Sequence, residues 1–314
     1  MTAKPQLALV GIGKIAVDQH LPSIAETGVF ELVGVVSQRG VAVPGVPTFK
    51  SQAELFAALP GVTAVANCTP PHVRHAFAVE ALAAGKHLLI EKPPTASIAE
   101  LADMERAAKI AGRVLYATWH SRYNAGVDQA ADILHKRAPG TVAVTWKEDV
   151  RRWHPGQDWV FEAGGFGVFD PGINAFSIVT AILPFPIFIS QADLMFPANR
   201  ATPIAANLTF RGPAGSGLTA MTCALDWRQQ GEQTWTIDVA LKDGGTLQLT
   251  HGGTRLFVDG QPMVSEPDSE YRRIYRRFHE LIGRGESDVD AAPLRLVADA
   301  YMMGTRHVVD RFEW

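Results

Sequence analysis

Short apolar runs alternate with longer amphipathic stretches over the first 118 residues. The runs fall at residues 7–10, 32–36, 64–68, 87–90 and 114–117. Between them, residues 73–84 and 98–111 are alanine-rich and predict helices, with Gly85 and Gly112 standing where helices commonly end. Short apolar runs separated by helices of this length predict right-handed crossovers and a parallel sheet. The pattern then changes. Residues 140–150 alternate, with Val142, Val144 and Trp146 on one face, and predict one long strand. Between residues 188 and 264, further strand-like segments follow at 204–210, 218–225, 235–241, 246–250 and 256–258. Lys242-Asp243-Gly244-Gly245 and Asp259-Gly260 are hairpin signals. Residues 271–283 and 293–310 predict two closing helices. The expected class is α/β: a doubly wound parallel sheet over residues 1–120, then an α+β domain with an antiparallel sheet over 121–314. The last helices are candidates to pack back on the first domain.

The length of 314 residues exceeds what one core usually holds, which agrees with two domains. The net charge of −3 argues against electrostatic capture of nucleic acid or of an anionic membrane. No apolar run is long enough to span a bilayer. The first run enters a glycine turn, as a strand does, rather than a cleavage site. Cys68 and Cys223 are too few for a disulfide framework, so a cytoplasmic setting is the default expectation.

Candidate chemistry begins right after the first strand. Gly11-Ile12-Gly13-Lys14-Ile15-Ala16 is a G-x-G-x-x-A turn. The first glycine makes the turn, and the second lets backbone approach a pyrophosphate. The alanine permits close helix packing, and the helix N-terminus supplies amide donors. A Rossmann dinucleotide site is expected here, with Gly11, Gly13, Lys14 and Ile15 as contacts. At the second strand's end stands Ser37-Gln38-Arg39-Gly40, without the acid that usually takes the ribose hydroxyls of NAD. Ser37 and Arg39 suit a 2′-phosphate, so NADP is the favoured cofactor, with NAD also usable.

Two further segments carry reactive groups. The strand at 87–90 ends in Glu91-Lys92-Pro93-Pro94, at the sheet edge where ligands of parallel sheets gather. Lys92 there can hold a reacting hydroxyl. Farther on, Gly164-Gly165-Phe166-Gly167 leads to Asp170 and Asn174, which share one face if the chain is helical from about Gly172. Cys68, His72 and His75 lie close in sequence but lack a fourth ligand and match no zinc spacing, so no metal site is expected.

Together these segments resemble the Gfo/Idh/MocA family of sugar oxidoreductases over essentially the whole chain. The likeness rests on the glycine turn, Cys68-Thr69-Pro70-Pro71-His72, Glu91-Lys92-Pro93, and the Gly-Gly segment followed by Asp170 and Asn174. It implies an N-terminal Rossmann domain and a C-terminal domain with a large open sheet, a face that family members often use for dimers. It also implies that Cys68, Thr69, Pro70, His72, Glu91 and Lys92 border the cofactor. Residues 146–157, 169–177 and 285–290 are similar to the family's aldose 1-dehydrogenase branch. One departure matters: many members carry His where this chain has Asn174, and an amide cannot take a proton at working pH.

The expected reaction is oxidation of an aldopyranose at C1 to the lactone, with the hydride passing to NAD(P)+. L-Arabinose, D-galactose and D-fucose share one ring configuration and differ only at C5, so one site reading C1 to C4 accepts all three. Asp170 is the expected base, with Lys92 stabilising the alkoxide and Asn174 orienting the hydroxyl; Lys92 is the alternative base. His120 and Glu148 are candidates for the sugar hydroxyls, and Trp153, His154 and Trp235 for its flanks. Competing expectations are a dehydrogenase of another sugar or of an inositol, and a non-catalytic dinucleotide sensor on the same fold.

Overall fold

The computed structural model describes residues 4–266 and 269–314, which divide into two compact units. Unit 1 comprises residues 1–120 and 270–291, and unit 2 residues 121–269 and 292–314. Unit 1 is built on six parallel strands: β1 (Gln6–Val10), β2 (Glu31–Val36), β3 (Thr48–Phe49), β4 (Val62–Asn67), β5 (His87–Ile90) and β6 (Leu115–Ala117). Their order is β3-β2-β1-β4-β5-β6. The chain reverses direction across the sheet between β1 and β4, which creates the switch point where such sheets bind ligands. Connecting helices are α1 (Leu21–Thr27), α2 (Gln52–Ala58), α3 (Pro71–Ala83) and α4 (Ile98–Ala111). Ser51 and Ser97 cap α2 and α4 by accepting from Glu54 N and Glu100 N. The expected stops hold, with Gly85 and Gly112 in the left-handed region. The strands are buried on both faces, as Leu7, Leu9, Val65, Leu88 and Leu89 show. The short edge strand β3 and helix α2 had no clear apolar signature.

Unit 2 opens with α5 (Ala125–Leu134), the long strand β7 (Pro139–Lys147), the single turn α6 (Val150–Trp153) and α7 (Phe169–Ile182). Seven strands follow: β8 (Phe188–Pro197), β9 (Ala205–Arg211), β10 (Ala220–Asp226), β11 (Thr234–Leu241), β12 (Thr246–Thr250), β13 (Arg255–Val258) and β14 (Gln261–Ser265). The two predicted hairpin turns join β11 to β12 and β13 to β14. Helix α7 begins at Phe169, three residues before the expected start at Gly172.

Between β14 and the C-terminal segment lies α8 (Glu270–Arg284), which belongs to unit 1. Its apolar face explains why. Tyr271, Ile274, Tyr275, Phe278 and Leu281 are all buried. Phe278 stacks on Phe30 at 5.4 Å and on Tyr116 at 6.2 Å between ring centres. Each such side chain contributes about 1.5–3 kcal/mol by leaving water. Residues 285–290 then seal the open edge of β6, where Ala117 N donates to Asp288 O and Leu115 N to Ser287 Oγ, both at 3.0 Å.

Unit 2 ends with α9 (Ala292–Met303) and β15 (Thr305–Val309). This corrects the expectation of one helix over 293–310. The helix stops at Gly304, and the β-branched residues beyond it pair in parallel with β8. The nine-stranded sheet has the order β14-β13-β12-β11-β7-β10-β9-β8-β15. It is mixed rather than purely antiparallel, because β10–β7 and β15–β8 run parallel. Its inner face carries Val142, Val144, Trp146, Met221, Cys223 and Leu225 against the helices. The other face shows small and polar residues such as Thr141, Ala143, Thr222 and Asn207. Among the described residues, no helix is long and apolar enough to cross a membrane.

Candidate active site

At the carboxyl edge of the unit 1 sheet, the glycine turn follows β1. Gly11 has φ +87°, and a Cβ there would lie 2.9 Å from Thr69 N and 3.0 Å from the Cys68 carbonyl carbon. Only glycine fits such a close approach of two backbones. Gly13 is the converse: a Cβ there would meet nothing within 4 Å, so the turn faces open space. A helical segment starts at Lys14 and carries Ile15 on its first turn. These features suit a dinucleotide pyrophosphate. The Lys14 ammonium is paired with Asp18. Ser37 is buried and its Oγ accepts from Val41 N at 2.9 Å, which leaves its own O–H available. Arg39 is exposed on the same turn.

The loop after β4 is fixed by side chains. Asn67 Oδ1 accepts from Thr69 N at 3.1 Å and from Thr69 Oγ1 at 2.7 Å. Cys68 is buried, Pro70 caps α3, and His72 lies in its first turn. Arg74, which sequence patterns did not single out, is buried and donates to Thr69 O, Glu91 O and Pro93 O. It thereby ties the loop after β4 to the Glu91-Lys92-Pro93 segment after β5. His75 is bound to Asp103 at 2.9 Å, and no group of three or more metal-ligating side chains occurs among the described residues.

Glu91 is the anchor of the Lys92 loop. Its Oε2 accepts from Lys92 N at 2.8 Å. Its Oε1 accepts from Tyr271 Oη and from His20 Nε2, both at 2.9 Å. His20 Nδ1 lies 2.7 Å from Tyr275 Oη. Burial opposes the charged form of both His20 and Glu91. The neighbouring Cys68 sulfur and the Glu91 carboxylate nonetheless raise the His20 pKa. The His20 hydrogen bond and charge, with His120 and Arg74, lower that of Glu91. The pair is therefore a buried ion pair, with Nε2–H donating to the carboxylate. Lys92 itself is half-buried.

His120, after β6, donates from Nδ1 to Glu270 Oε2 at 2.7 Å and stacks on Tyr271 at 5.5 Å. Burial works against its charge, but Glu270 and Glu91 outweigh it and hold its pKa above the usual imidazole value. Helix α8 thus supplies Glu270, Tyr271 and Tyr275 to the surroundings of Lys92. Nothing in their local sequence marks these three.

Unit 2 carries a second cluster. Gly165 lets the chain before α7 pass close to another strand of backbone, since a Cβ there would sit 2.3 Å from Trp159 O. Asp170, in the first turn of α7, is buried and lies 3.1 Å from His154 Nε2. Asn174 is one turn on, half-buried on the same side of the helix. His154 follows α6 and packs edge-on against Trp227 at 5.4 Å and Trp159 at 6.1 Å. Glu148, just past β7, accepts from Trp227 Nε1 at 3.1 Å and from Trp235 Nε1 at 2.9 Å. Each of its oxygens is thus already engaged by an indole, which the expectation of a plain sugar contact did not include. Trp235 also faces Trp153 at 5.9 Å and Trp146 at 6.4 Å. The expected residues of this unit converge, and Trp227, fully buried, is the member that sequence reasoning missed.

The sequence profile of the Gfo/Idh/MocA proteins, described as an oxidoreductase family with an NAD-binding Rossmann fold, matches residues 6–118. A galactose 1-dehydrogenase from Pseudomonas fluorescens is 43% identical over 311 residues, 98% of each chain. The chain belongs to the Gfo/Idh/MocA oxidoreductase family. The crystal structure of a D-galactose-1-dehydrogenase protein from Rhizobium etli matches with a TM-score of 0.94 at 49% identity, covering 100% of this chain and 99% of that one. A 3-ketoreductase from Actinomadura kijaniata, solved with NADP, matches at TM-score 0.82 over 98% of this chain and 100% of its own. At 18% identity that likeness speaks for the fold alone.

Proposed function

We propose that this family member is an NAD(P)-dependent aldose 1-dehydrogenase that oxidises L-arabinose, D-galactose or D-fucose at C1 to the lactone. The observation that carries the proposal is the buried Asp170 carboxylate, set beside an imidazole in a cluster of indoles. A carboxylate accepts the proton of a sugar hydroxyl, and indole faces are the apolar walls that pyranose rings stack on. The 43% identity to a galactose 1-dehydrogenase along nearly the whole chain supports the same substrate class.

The glycine turn at residues 11–16, with Ser37, Arg39 and the loop at 68–72, would hold the dinucleotide. When bound, it supplies the acceptor for a hydride. Arg39 offers a planar fork of donors to a 2′-phosphate, which favours NADP over NAD. Asp170 takes the proton from the C1 hydroxyl. The Lys92 ammonium stabilises the alkoxide as it forms, and the Glu91 anchor fixes the backbone from which Lys92 projects. Asn174 orients the hydroxyl as donor and acceptor. Glu148, held by an indole N–H on each oxygen, is the acidic contact for the sugar hydroxyls. Trp153 and Trp235 flank the ring, and His120 adds a polar contact.

Initial rates for the three aldoses and for an inositol, with NADP and with NAD, test the proposal through the absorbance of the reduced nicotinamide. Turnover of the aldoses with lactone as product is expected. Dinucleotide binding without turnover of any aldose would refute it in favour of a sensor role.

A further inference from the structure

The backbone around Lys92 is held at three places. Its own N–H donates to Glu91 Oε2 at 2.8 Å. The carbonyls on either side of it, Glu91 O and Pro93 O, both accept from Nη1 of Arg74. Arg74 is the fourth residue of α3 and is 3% exposed. The same guanidinium turns its other edge to the loop before α3, where Nε donates to Thr69 O at 2.9 Å and Nη2 donates to the same oxygen. Thr69 in turn backs the glycine turn, since a Cβ on Gly11 would lie 2.9 Å from Thr69 N. One buried cation therefore fastens the loop beside the glycine turn to the peptide that carries Lys92.

The chemistry of the group suits that task. A guanidinium is planar and always charged, and its nitrogens diverge, so it holds separate carbonyls at a fixed spacing. A lysine ammonium is a single point of charge and cannot. Burying a cation is costly, and apolar packing often stabilises a core as well or better. Arg74 instead meets the backbone carbonyls of two loops at the carboxyl edge of the sheet. Thr69 has a second hold, because its N–H and Oγ1 both donate to Asn67 Oδ1. The two carbonyls that flank Lys92 share one guanidinium nitrogen. Loss of the guanidinium therefore bears more on Lys92 than on the loop at Thr69.

We propose that Arg74 is a positioning residue for Lys92: its guanidinium sets the peptide that carries the ammonium at a fixed offset from the loop bordering the dinucleotide. This rests on the assignment of Lys92 to the developing alkoxide and deepens it. A cation stabilises an alkoxide only where it is held at the right distance, and a displacement of about 1 Å costs on the order of 100-fold in rate. In this role Arg74 touches neither the sugar nor the reacting atoms. It acts through the carbonyls before and after Lys92, beside the hold that Glu91 keeps on the Lys92 N–H.

Arg74→Lys keeps the charge and removes the fork. We expect kcat to fall by roughly 10- to 100-fold, with the KM for the sugar and the dinucleotide dissociation constant nearly unchanged. The decisive comparison is made in the background of Lys92→Ala. With no ammonium left to position, Arg74→Lys should cost little further activity there. Losses that multiply in the double variant, or a normal kcat in the single one, would overturn the proposal. Arg74→Gln, which buries no charge, goes through the same cycle and decides it if the lysine variant does not fold. Hydrogen exchange of the unliganded protein gives a readout apart from turnover. The segments at 68–73 and 91–96 should exchange faster in either variant while β2 keeps its protection; unchanged exchange at 91–96 would sink the clamp. If the wild type oxidises no aldose, the functional proposal fails instead, and the exchange arm still decides the clamp.

Discussion

Replacing His20 by leucine removes the cation from a fully buried ion pair while keeping an apolar side chain of similar size. Three hydrogen bonds reach the Glu91 carboxylate, from His20, Tyr271 and Lys92 N. The substitution deletes the charged one and strips Tyr275 Oη of its His20 partner. Breaking a buried pair on one side costs about 3–5 kcal/mol, because the remaining charge stays uncompensated. At about 2–4 °C per kcal/mol, the melting temperature should drop by roughly 6–20 °C. The cost should also depend on pH. His20 has a raised pKa in the folded chain, so its contribution is complete below about pH 6.5, the unfolded value. The contribution is lost as pH rises from there through the folded value. The gap between wild type and His20→Leu should therefore shrink above pH 6.5, by up to about 1.4 kcal/mol per pH unit. Urea unfolding of both proteins at steps from pH 6 to pH 9.5 measures the gap. A gap that stays constant across that window refutes a charged His20. Adding Glu91→Gln gives an independent check, because with the buried anion gone the leucine should cost markedly less.

Asp170→Asn should lower kcat by about 100- to 10,000-fold, the usual weight of a general base, with dinucleotide affinity unchanged by fluorescence titration. Near-normal turnover would remove Asp170 from the role of base. Arg39→Ala should weaken NADP by roughly 10- to 100-fold, the equivalent of one hydrogen bond to a charged group, and leave NAD untouched. Equal losses for both dinucleotides would exclude a 2′-phosphate contact. Trp314 donates to Asp158 at 2.8 Å and packs on Phe312 at 5.6 Å. Trp314→Ala should lower the melting temperature by a few degrees at most, since Trp314 is 37% exposed, and a thermal melt that does not move would show this contact to be idle.

The parallel sheet was readable because all of its strands except the short edge strand β3 are apolar runs that need no partner to be recognised. Where pairing decides the structure, reading stops. Residues 305–309 extend the spacing of α9 well enough to pass as helix, and only β8, more than a hundred positions away, makes them a strand. The two parallel pairs in the nine-stranded sheet are likewise invisible locally, since Val142, Val144 and Trp146 alternate the same way beside either kind of neighbour. The placement of α8 in unit 1 depends on the fit of Phe278 to Phe30 and Tyr116, which periodicity cannot express.

The same division separates the candidate reactive groups from the groups that hold them in place. Gly11, Lys92, Asp170 and Asn174 stand out in the sequence as candidates because turn geometry, a strand end and helical spacing limit what such residues can do. Their partners do not. His20 lies 71 residues from Glu91, and Tyr271 lies 180 residues from it, yet both hydrogen-bond the same carboxylate oxygen. His154, a candidate flank for the sugar ring, also touches Asp170, a contact that its sequence neighbours do not reveal. Glu148, a candidate sugar contact, also accepts from two indoles that lie far along the chain. A buried charge costs several kcal/mol unless its partners are in place, so those partners are as necessary to the chemistry as the groups they serve. A substitution that spares every predicted reactive residue, such as Tyr271→Phe, should therefore still disturb Lys92. It takes one of three donors from the carboxylate that holds the Lys92 backbone.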